Sequence, residues 1–154
     1  MKQNFIIWVD ADACPKVVKE IIFKTSFKQK IPVCLVANSY ISFPPGGLIK
    51  LVQVDQGDDV ADMYIVKNSA LEDIVITADI PLAALIVEKG SIAINPRGEL
   101  YDEDNIGERL SMRNFMKELR DDAGQTTGGP APFDQKSKQL FANTLNKVLA
   151  RKVK

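Results

Sequence analysis

Phe5-Ile-Ile-Trp-Val-Asp10-Ala-Asp12-Ala-Cys14-Pro15 decides the fold class of this chain. An apolar run of strand length ends in two aspartates, and Pro15 then stands where a first helical turn tolerates proline. The arrangement returns twice. Leu51-Val-Gln-Val54 leads into Gly57-Asp-Asp59-Val-Ala-Asp62, and Ile74-Val-Ile-Thr-Ala-Asp79 opens directly into Ile80-Pro81. Between these runs Val18, Ile21 and Ile22 keep helical spacing to about Phe27, and Ile31–Val36 reads as a second strand ending at Ala37-Asn38-Ser39. A loop with Pro44-Pro-Gly-Gly47 precedes a third strand, Ile49–Val54. Asp58 or Asp59 is placed to cap a helix through Val66. Ile74–Thr77 is a fourth strand, Asp79-Ile-Pro81 starts a helix that Gly90 closes, and Ile92–Ile94 is a fifth strand stopped by Asn95-Pro-Arg-Gly98. Short βα repeats with apolar strands predict an α/β protein with a mostly parallel sheet of about five strands and helices on both faces.

Beyond Asp104 the pattern is helical. Ile106 to Leu119 carries Leu110, Phe115, Met116 and Leu119, and Gly124–Pro132 is a loop of small residues and proline. A last helix from about Asp134 puts Phe141, Leu145 and Val148 on one stripe and Lys147, Arg151 and Lys154 on another. Residues 104–154 are read as a helical appendage within a single domain over 1–154, too small for a second core.

At 154 residues, 45% hydrophobic and 26% charged, the chain is of one-domain size, and no apolar run spans a membrane. The opening Met-Lys-Gln-Asn leaves no room for a signal peptide, and Cys14 and Cys34 lack metal-type spacing. A cytoplasmic protein is expected. The net charge is zero, yet no acid follows Asp134 while Lys136, Lys138, Lys147, Arg151, Lys152 and Lys154 do. That basic end suits a phosphodiester substrate, and equally a solvated helix face. The absence of histidine is sharper. It excludes a Ser-His-Asp triad, a Cys-His pair, His-ligated zinc and imidazole catalysis.

What remains is carboxylate chemistry. In an open α/β sheet, ligands bind beyond the carboxyl ends of the strands, where Asp10, Asp12, Asp59, Asp62 and Asp79 gather. Asp10 and Asp12 leave the same side of an extended chain, and Asp59 and Asp62 are neighbours on one helical turn. Any one of these is explained by helix capping. Five together repel one another at neutral pH, and Mg²⁺ or Mn²⁺ is the simplest counter-charge. Cys14 begins a helix, but with no base partner it reads as a small buried side chain. Asn38 and Ser39 are candidates to contact a phosphate or water, as is Arg97, although all three also suit plain turns.

Val9-Asp-Ala-Asp-Ala-Cys-Pro15, Val36-Ala-Asn38, Asp59-Val-Ala-Asp62, Val75-Ile-Thr-Ala-Asp-Ile-Pro-Leu-Ala83, Asn95-Pro-Arg-Gly98, Met112-Arg113 and Thr127-Gly-Gly-Pro130 together resemble the YaiI/YqxD family of uncharacterised bacterial proteins, similar to PIN-like nuclease domains. The resemblance implies a three-layer α/β/α sandwich and a Mg²⁺- or Mn²⁺-dependent nuclease acting on RNA rather than DNA. It implies Asp10, Asp62 and Asp79 as metal ligands, with Arg113 among the residues that contact the nucleic-acid backbone. Where many PIN-like domains carry a further acid after the fifth strand, this chain has Asn95, so a second ion depends on Asp12 or Asp59. One rival is a haloacid-dehalogenase-like phosphatase with Asp10 as nucleophile and Asp12 as acid. It lacks a convincing lysine motif and leaves Asp79 without a role. The other is a non-catalytic metal- or nucleic-acid-binding module.

Overall fold

The computed structural model describes residues 4–57, 59–123 and 133–152. Strands β1 (Ile7–Asp10), β2 (Val33–Ala37), β3 (Ile49–Gln53), β4 (Ile74–Ile76) and β5 (Ile92–Ile94) run parallel, and β6 (Leu100–Tyr101) returns antiparallel to β5. The helices are α1 (Lys16–Gln29), α2 (Val60–Asn68), α3 (Ile80–Lys89), α4 (Ile106–Ala123) and α5 (Gln135–Lys152), with a 3-10 turn at Ala11–Ala13 after β1. β6 adds a strand to the expected five. Its two residues, beyond the Asn95–Gly98 turn, are too few to show a period.

Alternation along the strands divides the core. Ile7, Val9, Val33, Leu35, Ile74, Ile76 and Ile94 face one way, onto Val18 and Ile22 of α1 and Phe141, Leu145, Val148 and Leu149 of α5. Trp8, Cys34, Val36, Val75 and Ala93 face the other way, onto Ala61 and Ile65 of α2 and Leu82, Ala83, Ile86 and Val87 of α3. The result is a three-layer α/β/α sandwich. The stripe predicted on the last helix is the buried one. Leu110 of α4 is half-buried, whereas Phe115, Met116 and Leu119 stay exposed and Ile106 packs against the α3 side. The loop at Gly124–Pro132 and the residues Asp58 and Lys154 lie outside the described residues. Among the described residues no helix is long and apolar enough to cross a membrane.

The strand order is β3-β2-β1-β4-β5-β6. The chain builds outward from β1 to β3, then returns to lay β4 on the other side of β1. That reversal, at the carboxyl ends of β1 and β4, is the place where an open α/β sheet forms its ligand crevice. Asp73, buried at the opposite end of β4, fixes the two strands against each other. Its carboxylate accepts the Trp8 indole N–H at 2.8 Å and the backbone N–H groups of Ile6 at 2.9 Å and Ala70 at 2.8 Å. With Ile6 committed there, β1 begins at Ile7 rather than at Phe5. Ile7, Trp8 and Val9 then stand level with Ile74, Val75 and Ile76, so Asp10 emerges beside Thr77.

Candidate active site

Three chain segments deliver carboxylates to the crevice. Asp10 ends β1, Asp62 lies in the first turn of α2, and Asp79 is the N-cap of α3. Thr77, buried just past β4, joins two of them. Its hydroxyl donates to Asp10 Oδ2 at 2.9 Å and accepts the Asp79 backbone N–H at 2.9 Å. Asp79 Oδ1 accepts the Leu82 N–H at 3.0 Å, a standard N-cap bond. The Asp62 carboxyl shares a hydrogen bond with that of Asp79.

The electrostatics follow from this crowding. Burial raises Asp10 above its ordinary 3.8; the Thr77 hydroxyl pulls it back, and the charges of Asp79 and Asp12 push it further up. Asp62 is pushed up to about 7, first by burial, then by the charges of Asp79 and Asp10, by its hydrogen bond to Asp79 and by Asp59. Among the described residues no lysine or arginine acts on either group. The ion pairs among the described residues, Arg109–Glu99 and Lys152–Glu72, involve none of these acids.

Asp12 and Asp59 stand at the edge of this group. Asp12 is exposed and accepts the Asn38 backbone N–H at 2.7 Å, which ties the turn after β1 to the end of β2. Asp59 occupies the N-cap position of α2 but makes no side-chain cap bond, and Asp58, the other residue expected to cap there, lies outside the described residues. Its backbone is left-handed, with φ 69°, a conformation that costs a non-glycine residue energy. Capping therefore does not account for it.

The proposed contact residues divide. Asn38 lies next to Asp12, but its side chain donates to the Asp55 carbonyl at 3.0 Å. Ser39 is exposed beside it. Arg97 turns toward the start of α5, its guanidinium 5.7 Å from the centre of the Phe133 ring. Arg113 sits on α4 and donates to Asn114 at 3.1 Å. Asn95 is committed elsewhere, its amide donating to the Tyr101 hydroxyl at 3.0 Å and its carbonyl accepting the Arg97 N–H at 2.7 Å. It closes the β5–β6 turn. Cys14 is buried and its thiol is pushed up to about 12, chiefly by burial, which removes it as a nucleophile. Thr77 is the member that sequence reasoning missed; the signal was a polar residue interrupting an apolar strand two places before Asp79.

The donor set consists of carboxylate oxygens with one hydroxyl, which suits a hard cation and not zinc or copper. Among the described residues no three His, Cys, Asp or Glu side chains converge as a ready-made metal cage. Magnesium does not require one, since it is commonly held by one or two carboxylates together with water and substrate phosphate. By donor type the residues fit.

A family model described as "Uncharacterized BCR, YaiI/YqxD family" matches residues 8–151. Similar curated proteins include a UPF0178 protein of Maridesulfovibrio salexigens, 58% identical over 145 residues, covering 94% of this chain and 95% of the relative. Another, from Trichlorobacter lovleyi, is 56% identical over 145 residues and covers 94% of each chain. A third, from Shewanella baltica strain OS223, is 54% identical over 148 residues, covering 96% of this chain and 98% of its own. No solved structure matches the chain.

Proposed function

The chain belongs to the YaiI/YqxD family, and we propose that its crevice hydrolyses phosphodiester bonds of nucleic acid with a divalent cation, Mg²⁺ or Mn²⁺. The observation that carries this reading is that Asp10, Asp62 and Asp79 come from three separate elements at the strand-order reversal, where the charge of Asp79 acts on both Asp10 and Asp62 and no cationic side chain is among the described groups that act on those two. Asp10, Asp62 and Asp79 would hold the cation. When bound, it supplies counter-charge to the phosphate and lowers the pKa of a bound water.

The chain's own part is placement. Thr77 occupies Asp10 Oδ2, so Asp10 offers its other oxygen to the crevice. The N-cap bond occupies Asp79 Oδ1 in the same way, and the Asp79 carboxylate also shares a hydrogen bond with Asp62. Asp62 faces both, and it passes from holding a proton to offering two oxygens near neutral pH. RNA is preferred to DNA on the likeness to PIN-like domains alone.

Calorimetric titration with Mn²⁺, paired with a cleavage assay on labelled RNA and DNA, tests the reading. Saturable binding and cleavage in the wild type, both lost in Asp10→Asn, are expected. Mn²⁺ affinity unchanged in both Asp10→Asn and Asp79→Asn would refute the site, and binding without cleavage of any polymer would leave a non-catalytic module.

A further inference from the structure

We infer that Tyr40 is a base-stacking residue that selects unpaired strands for the carboxylate crevice, an inference that rests on the nuclease reading above. Tyr40 is 70% exposed, the most exposed large apolar side chain described. Its backbone, however, is fixed on both sides. Two residues before it, Asn38 is clasped by Asp12 at 2.7 Å and by the Asp55 carbonyl at 3.0 Å. Immediately after it, Ile41 packs against the core, as does Phe43. The loop therefore presents a ring to solvent from an anchored backbone, which lowers the ordering cost of stacking.

The position is specific. Asp12 follows Asp10 by two residues on the turn that leaves β1, and its bond to Asn38 carries the end of β2 up to the same side of the crevice. Tyr40 follows the Asp12-bound Asn38 by two residues, and in the proposed complex it would meet the base of a nucleotide next to the bound phosphate. Aromatic rings accept any base face, so the contact tolerates sequence while requiring that the base be unstacked. A duplex keeps its bases stacked and gains nothing from Tyr40.

Fluorescence anisotropy on the full chain in Ca²⁺, using a short labelled RNA single-stranded and in duplex, tests the assignment, with Mn²⁺-dependent cleavage followed in parallel. Tyr40→Ala is expected to weaken single-strand binding about tenfold, with Tyr40→Phe close to wild type and duplex binding unmoved. Equal single-strand affinity in wild type and Tyr40→Ala, with cleavage intact, overturns the Tyr40 assignment and leaves the nuclease reading standing. Equal losses on single strand and duplex overturn it too, as they would mark a damaged loop. Neither binding nor cleavage by the wild type overturns the nuclease reading and this inference with it.

Discussion

Replacing Asp62 with asparagine should stabilise the cation-free protein at neutral and alkaline pH. The Asp62 carboxyl moves from 3.8 to about 7 on folding, through burial and through its acidic neighbours Asp79, Asp10 and Asp59. A group raised by folding contributes its full stability below its unfolded value and loses it as pH climbs through the folded one. At about 1.36 kcal/mol per unit the whole displacement is about 4 kcal/mol. Asp62 is only part-buried and solvent screens its repulsions, which brings the expectation to about 1–2 kcal/mol. The amide introduced by Asp62→Asn keeps the shape and still donates to Asp79, as the protonated acid does. Urea denaturation in EDTA and low salt, at pH 5 and pH 8, measures the effect. Asp62→Asn should exceed wild type at pH 8 by that amount, a rise in Tm of about 3–6 °C, and the gain should shrink at pH 5. A variant no more stable than wild type at pH 8, or equally improved at both pH values, refutes the picture of an uncompensated carboxylate cluster. Added Mn²⁺ should raise the wild-type Tm and do so far less in the variant.

Thr77→Val keeps the shape but removes the hydroxyl shared by Asp10 and the Asp79 N–H. It should cost about 1–3 kcal/mol in urea denaturation and weaken Mn²⁺ binding, while Thr77→Ser retains both. Phe141→Ala, at a fully buried position of α5, should cost about 3–5 kcal/mol by the same assay; a loss under about 1 kcal/mol would show that α5 is not part of the core. In Gly98→Ala, the new Cβ would stand 2.6 Å from Leu140 Cγ and 2.8 Å from the Phe141 backbone N, at a φ of 99°. The Tm should therefore fall by several degrees as the β5–β6 turn is pushed off α5. Cys14 and Cys34 are buried, so at pH 8 a thiol reagent should label neither until denaturant is added.

The layers of this fold were legible because they depend on short-range pattern. Apolar runs ending in aspartate marked β1 and β4, and the spacing of Phe141, Leu145 and Val148 marked the face of α5 that enters the core. Strand order was not legible, as nothing local to Ile74–Ile76 says that it lies beside β1. That neighbour relation is enforced by Asp73, which bonds the nearby Ala70 and reaches Trp8 and Ile6 across 65 and 67 residues. Phe115, Met116 and Leu119 carried the signature of a packed helix face and remain exposed, because periodicity reports a stripe and not what covers it.

The site shows the same limit in another form. Read along the chain, helix capping and a functional cluster compete to explain each aspartate. In three dimensions the two roles belong to different oxygens. Asp79 spends Oδ1 on the Leu82 N–H and still shares a hydrogen bond with Asp62. Asp59, one of the two residues placed to cap α2, makes no side-chain cap bond and adds its charge to Asp62. Asp12, two residues from Asp10, gives one oxygen to Asn38 and adds its charge to Asp10. Sequence spacing placed these acids on the same rim. Which oxygen each one offers depends on Thr77, Leu82 and Asn38, and those partners are supplied by other segments or by the next helical turn. A carboxylate cluster is thus better counted by its uncommitted oxygens than by its residues.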